Sequence, residues 1–155
     1  MATTHHPAPH APLHARTVVG PVSRRVGYTI AVVLNVALLV ILNETPGWEA
    51  LPFLTEDFTL VLGVVNASII AGVVANAVYV VLDPAWLRAT GDIVTTGIGL
   101  AALVRLWQVF PVDFSATVVD LDLVARWVLV VGIVGSVIGI VAAAARLVRA
   151  LTPPD

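Results

Sequence analysis

Apolar residues run almost unbroken through four stretches between Val26 and Ala145, and the few charges among them sit near the stretch ends. A hydrocarbon core about 30 Å thick takes roughly 20 helical residues, and a run of about 18 or more is a candidate span. The pattern predicts four helices, over about 26–42, 58–82, 93–110 and 123–145. Buried strands of Val and Ile are also continuously apolar, but strands usually last roughly 4 to 8 residues, so length decides for helix. Asn43-Glu44-Thr45-Pro46-Gly47 ends the first stretch, Asp83-Pro84 the second and Pro111 the third. Proline supplies no backbone N–H, and glycine accepts turn dihedrals.

On either side of this 26–150 four-transmembrane-helix domain the pattern stops. Residues 1–25 carry His5, His6, His10 and His14 among Pro7, Pro9 and Pro12, with few large apolar residues. That composition predicts a disordered, solvated tail, and 151–155 form a short polar end. Ser23-Arg24-Arg25 before an apolar run resembles the start of an export signal, but no small-x-small site follows and further spans do. The first helix is therefore expected to be an uncleaved anchor.

Composition strengthens the membrane reading. With 59% hydrophobic and 12% charged residues, a chain of 155 residues cannot cover a water-soluble globule with polar surface. Its expected solvent and first partner is the lipid bilayer. The absence of Cys removes disulfides, thiolate metal sites and cysteine nucleophiles together. Basic residues are few, all eight are Arg, and no aromatic platform accompanies them, so nucleic acid is not an expected partner.

Charge gives a direction. Arg16, Arg24 and Arg25 precede the first helix, Arg88 lies between the second and third, and Arg146 and Arg149 follow the fourth. The other two loops hold Glu44, Glu49, Glu56 and Asp57, and Asp113, Asp120 and Asp122. The positive-inside rule then predicts an all-α integral membrane four-helix bundle in the cytoplasmic membrane, with both termini cytoplasmic and the acidic loops outside. Trp48, Phe58, Trp107 and Trp127 near one boundary, and Tyr28, Tyr79 and Trp86 near the other, fit interfacial belts.

Small residues on the fourth helix, Gly132, Gly135 and Gly139, share a face, as do Ser68, Gly72 and Asn76 on the second. Such strips let backbones approach closely, which predicts contact between helices two and four in preference to a dimer interface. Asn35, Asn66 and Asn76 lie within the spans, where lipid offers no partner, so interhelical hydrogen bonds are expected ahead of a channel lining. Arg105 shares a face with Gln108, which would turn its guanidinium towards the bundle, and Arg126 lies just inside the fourth stretch. Two guanidiniums at one mouth could grip an anion. Both lie close enough to the interface to snorkel, however, and pairing with Glu56, Asp57, Asp120 and Asp122 is the favoured reading. Asp92 lies four residues after Arg88, a spacing that permits a local ion pair, which is expected ahead of a proton-relay role because no acid or His lies deeper in the spans.

Chemistry is sparse. No His lies beyond position 14, and no carboxylate pair occupies a span for acid and base work. Neither an enzyme nor a cofactor or metal site is expected. His6, His10 and His14 would align on a helix, but the prolines oppose one, leaving an adventitious metal affinity as the expectation.

Three stretches, Leu51-Pro52-Phe53-Leu54-Thr55-Glu56-Asp57-Phe58, Val81-Leu82-Asp83-Pro84-Ala85-Trp86-Leu87 and the run from Val104 to Phe114, give the chain a further likeness. Together they resemble an uncharacterised family of small four-helix integral membrane proteins of actinobacteria and haloarchaea. The resemblance covers about 25–150 and implies a shared structural plan but no activity. The functional expectation is a non-enzymatic multi-pass membrane protein, a small assembly or stabilising subunit acting through a membrane protein partner or as a homo-oligomer. The alternative is an oligomeric transport or permeation component for a small solute or anion.

Overall fold

The computed structural model describes residues 20–115 and 121–152. Its elements are four helices, α1 (Pro21–Asn43), α2 (Thr59–Val81), α3 (Ala85–Val109) and α4 (Leu121–Leu151), with short 3-10 turns at Trp48–Ala50 and Glu56–Phe58. Among the described residues there is no strand beyond an isolated bridge. All four helices are long and apolar enough to cross a membrane.

Each expected span has its helix, and the differences lie at the ends. Helix α1 starts earlier, at Pro21, where the fixed φ of proline suits a first helical turn and its missing N–H costs nothing. Helix α3 starts at Ala85, well ahead of residue 93, because Asp83 and Pro84 stop α2 and the polar Arg88 and Asp92 are carried on helix. Hydropathy marks the lipid-crossing part of a helix, whereas the helix itself continues wherever backbone and propensity allow. Helix α4 has 31 residues, about 46 Å at 1.5 Å per residue, longer than the roughly 30 Å of a hydrocarbon core, and carries Arg146 and Arg149 near its end.

Helix packing follows chain order: α1 lies along α2, α2 along α3, and α3 along α4. The short Leu82-Asp83-Pro84 link leaves α3 no choice but to return beside α2. Helices α1 and α4 thus each approach one helical neighbour closely along their length, and the four stand as a row whose outer members come near enough at one end to line a common cavity with Tyr28, Arg146 and Arg149. The expected contact between α2 and α4 is corrected accordingly. Gly72 faces Asn35 of α1, Gly132 faces Leu103 of α3, Gly139 faces Thr96 of α3, and Gly135 has no neighbouring atom where a Cβ would stand. The small-residue strips do bring helices together, but with their sequence neighbours.

The largest buried cluster, Leu42, Phe58, Val61 and Ile69, sits where α1 and α2 meet beneath the acidic loop, with Trp48, Leu54, Leu106 and Val109 against it. Elsewhere the helices expose long apolar faces, among them Ile30 and Leu34 on α1 and Val131, Val134, Ile138 and Val141 on α4. In water such surface would aggregate; in lipid it is matched to its surroundings.

Candidate functional site

Polar chemistry concentrates at the end of the row where α1 begins, α2 gives way to α3, and α4 finishes. Asp83, held at the turn by Pro84, is the hub. Its carboxylate meets the Arg24 guanidinium at 3.1 Å, the Arg88 Nε at 3.1 Å and the Tyr28 hydroxyl, which donates at 3.4 Å. One acidic side chain thereby joins α1 to the start of α3.

Beside it, Tyr79 of α2 donates to the Arg88 backbone carbonyl at 3.1 Å and to Asp92 Oδ1 at 3.4 Å. Its ring meets Tyr28 edge-on, with centroids 5.4 Å apart. This seat exists because residue 91 is glycine: a Cβ there would overlap the Tyr79 hydroxyl and come within 2.9 Å of its ring carbon Cζ. Asp92 also accepts an ion pair from Arg146 of α4 at 3.1 Å. The expected Arg88–Asp92 pair is therefore corrected, since Arg88 turns to Asp83 and Asp92 to Arg146. Both carboxylates tie separate helices together instead of bracing one helix locally.

These groups wall a cavity of about 550 Å³ lined by Tyr28, Tyr79, Arg88, Asp92, Arg146 and Arg149, with alanines between them. Arg149 has neither an ion pair nor a hydrogen bond among the described residues. Sequence reading had singled out Asp92 here and missed Asp83, Tyr28 and Tyr79. The available signal was that Asp83 and Asp92 are the two acids falling within an otherwise arginine-marked side of the chain, between α2 and the middle of α3.

At the opposite end the expected rim of arginines and acids does not form among the described residues. Arg105 is exposed and donates to Gln108 Oε1 at 3.3 Å, one turn along its own helix, so its guanidinium is not turned into the bundle. Arg126 lies over the Phe110 ring, 3.9 Å from its centroid, and 5.5 Å from that of Trp107. Aromatic faces take the place expected for carboxylates, because α3 ends with Phe110 in the left-handed region (φ 46°) ahead of Pro111, aiming that ring at α4. Glu56 and Asp57 stay exposed, and Asp120 lies outside the described residues.

A backbone clasp closes this end. Thr55 N–H donates to the Pro111 carbonyl at 3.1 Å and Asp113 N–H to the Phe53 carbonyl at 2.9 Å, making a bridge between Leu54 and Val112. Phe53 and Phe114 stack over it, with centroids 5.5 Å apart. The Asp113 carboxylate accepts the Ser115 backbone N–H at 2.8 Å, which, with a contribution from the Ser115 hydroxyl, holds its pKa below the usual carboxylate value.

The span amides divide. Asn66 and Asn43 exchange two hydrogen bonds, 2.6 and 2.9 Å, across α2 and α1, as expected of an amide without water. Asn35 and Asn76 instead donate to carbonyls of their own helices, those of Ala31 and Gly72, at 2.8 Å each. Among the described residues no group of three or more His, Asp or Glu could hold a metal ion, and His6, His10 and His14 lie outside them. No protein-family model, curated protein or solved structure matches the chain.

Proposed function

We propose that this chain is a non-enzymatic multi-pass protein of the cytoplasmic membrane, with both termini cytoplasmic, that serves as a small assembly or stabilising subunit. The observation that carries the reading is the exposed apolar face of α4 at the edge of the row. Helices α1 and α4 each approach one helical neighbour closely, and α4 turns a long apolar face, Val131, Val134, Ile138 and Val141, away from the rest of the chain. Gly135 lies on the same helix with open space around it, leaving room for the close approach of another transmembrane helix, from a different membrane protein or a second copy. The gathering of Arg24, Arg88, Arg146 and Arg149 at one end, with Glu44, Glu49, Glu56 and Asp57 at the other, supports this orientation through the positive-inside rule.

Purification in mild detergent after cross-linking in the membrane tests this reading. A stoichiometric neighbour or a defined oligomer is expected, and recovery of the bare monomer would overturn it. A reporter fused within the 43–57 loop should be read on the outer side.

The arginine-lined cavity favours a second reading, an oligomeric transport or permeation component for a small anion. That reading requires a solvated path past Asn35 and Asn76, whose amides are engaged with their own helices. Cysteines placed at these two positions would be labelled from both sides by a water-soluble reagent if a path exists, and from neither if it does not.

A further inference from the structure

Among the described residues, four guanidiniums, those of Arg24, Arg88, Arg146 and Arg149, gather with two carboxylates, Asp83 and Asp92, at the arginine-rich end. The surplus is not spread over the surface. Arg88, Arg146 and Arg149 converge on one cavity of about 550 Å³, roomier than a phosphate and large enough for a phosphoglycerol head. Arg88 and Arg146 each meet a carboxylate at 3.1 Å through one nitrogen and line the cavity with further N–H groups to donate. Arg149 has no protein partner among the described residues and completes the wall. Guanidinium forks suit tetrahedral oxyanions, to which they donate in pairs.

Position narrows the ligand class. The cavity lies where α2 ends, α3 begins and α4 runs out of apolar sequence, the level at which a bilayer presents its phosphates. We infer that Arg88, Arg146 and Arg149 form a binding site for a phosphate group, supplied by an anionic phospholipid head or by a soluble phosphate. The site does not depend on the subunit reading. It would clamp α4 to α3 through a shared anion, reinforcing the half-exposed Asp92–Arg146 pair.

The test uses the full chain in detergent, with native mass spectrometry and thermal unfolding as readouts. Phosphatidylglycerol, phosphatidylcholine and inorganic phosphate are added in separate arms. Phosphatidylglycerol should be retained in preference to phosphatidylcholine and should raise the unfolding temperature. Arg149→Gln should weaken that retention about tenfold, the scale of one lost charge-assisted hydrogen bond. Arg149→Lys, which keeps the charge and loses the fork, should fall between. Arg25→Gln removes an exposed arginine outside the cavity and should leave retention unchanged. A response to inorganic phosphate that is lost in Arg149→Gln would keep the site and assign it to a soluble anion. Equal weakening by Arg25→Gln and Arg149→Gln, or no preference for phosphatidylglycerol together with no response to phosphate, would overturn the inference.

Discussion

The two ends of the helix row are fastened by different physics. At the arginine-rich end, charge and hydroxyl groups reach between helices: Asp83 gathers Arg24, Arg88 and Tyr28, and Asp92 receives Arg146 and Tyr79. At the acidic-loop end, Leu42, Phe58 and Val61 are buried, backbone bridges Leu54 to Val112, and Arg126 rests on a ring. Among the described residues, the end with more acids thus uses none of them in an ion pair between helices. Abundant charge marks which way a helix crosses a bilayer, but a charge fastens helices only where a partner is within reach and partly shielded from water.

The sharpest way to break this contrast is Asp83→Ala. Two guanidiniums would lose their shared acceptor, which is only 13% exposed. Removing one partner of a fully buried pair costs about 3–5 kcal/mol; with Arg24 at 37% exposure, solvent screening lowers the expectation to about 2–3 kcal/mol. Denaturant titration in micelles reads the loss, and high salt should shrink it. A loss below about 0.5 kcal/mol would mean that this end is not held by charge.

Gly91→Ala tests the same end through packing. The new methyl would displace the Tyr79 hydroxyl from Arg88 and Asp92, an overpacking expected to cost about 1–2 kcal/mol and to be insensitive to salt. Tyr79→Phe in the Gly91→Ala background should recover part of it, since the hydroxyl is the nearest of the colliding atoms. Without such recovery, the ring carbons Cζ and Cε1, which phenylalanine keeps, would account for the clash.

At the other end, Phe110→Leu keeps an apolar side chain beneath Arg126 but removes the aromatic face. The expected cost is about 0.5–1 kcal/mol, as for a partly exposed cation–π contact. Glu56→Gln, on the exposed loop, should change nothing measurable. If Glu56→Gln cost more than Phe110→Leu, the acids would be fastening this end after all.

Spans were legible in the sequence because lipid imposes one requirement on every residue of a crossing helix, and length alone then separates helix from strand. The ends were less legible. Helix α3 carries Arg88 and Asp92 on regular helix, and hydropathy has no signal for a polar first turn. Partners were the least legible. A spacing of four made Arg88 and Asp92 candidates for each other, but the three-residue link holding Asp83 offered Arg88 a nearer acceptor, and α4 supplied Arg146 from far along the chain. The same holds for the glycines: their faces could be read from periodicity, whereas which helix fills them is decided by link length and the order of packing.

The smallest effect expected to be readable concerns Asp113, whose carboxylate is exposed yet held below its ordinary pKa by the Ser115 N–H and hydroxyl. A depressed folded-state value means that the unfolded chain binds the proton more readily, so stabilisation is present above the unfolded pKa of about 3.9 and is lost as pH falls through the folded value. Between about pH 5 and 8 the clasp should therefore be indifferent to pH. Ser115→Pro removes both donors without touching the bridge between Leu54 and Val112. Carboxyl carbon shifts followed through an acid titration should place the Asp113 midpoint below the ordinary aspartate value in the parent chain and return it to that value in the variant. Identical midpoints would show that the bond to Ser115 is not maintained in solution, and that the acidic-loop end is fastened by apolar and backbone contacts alone.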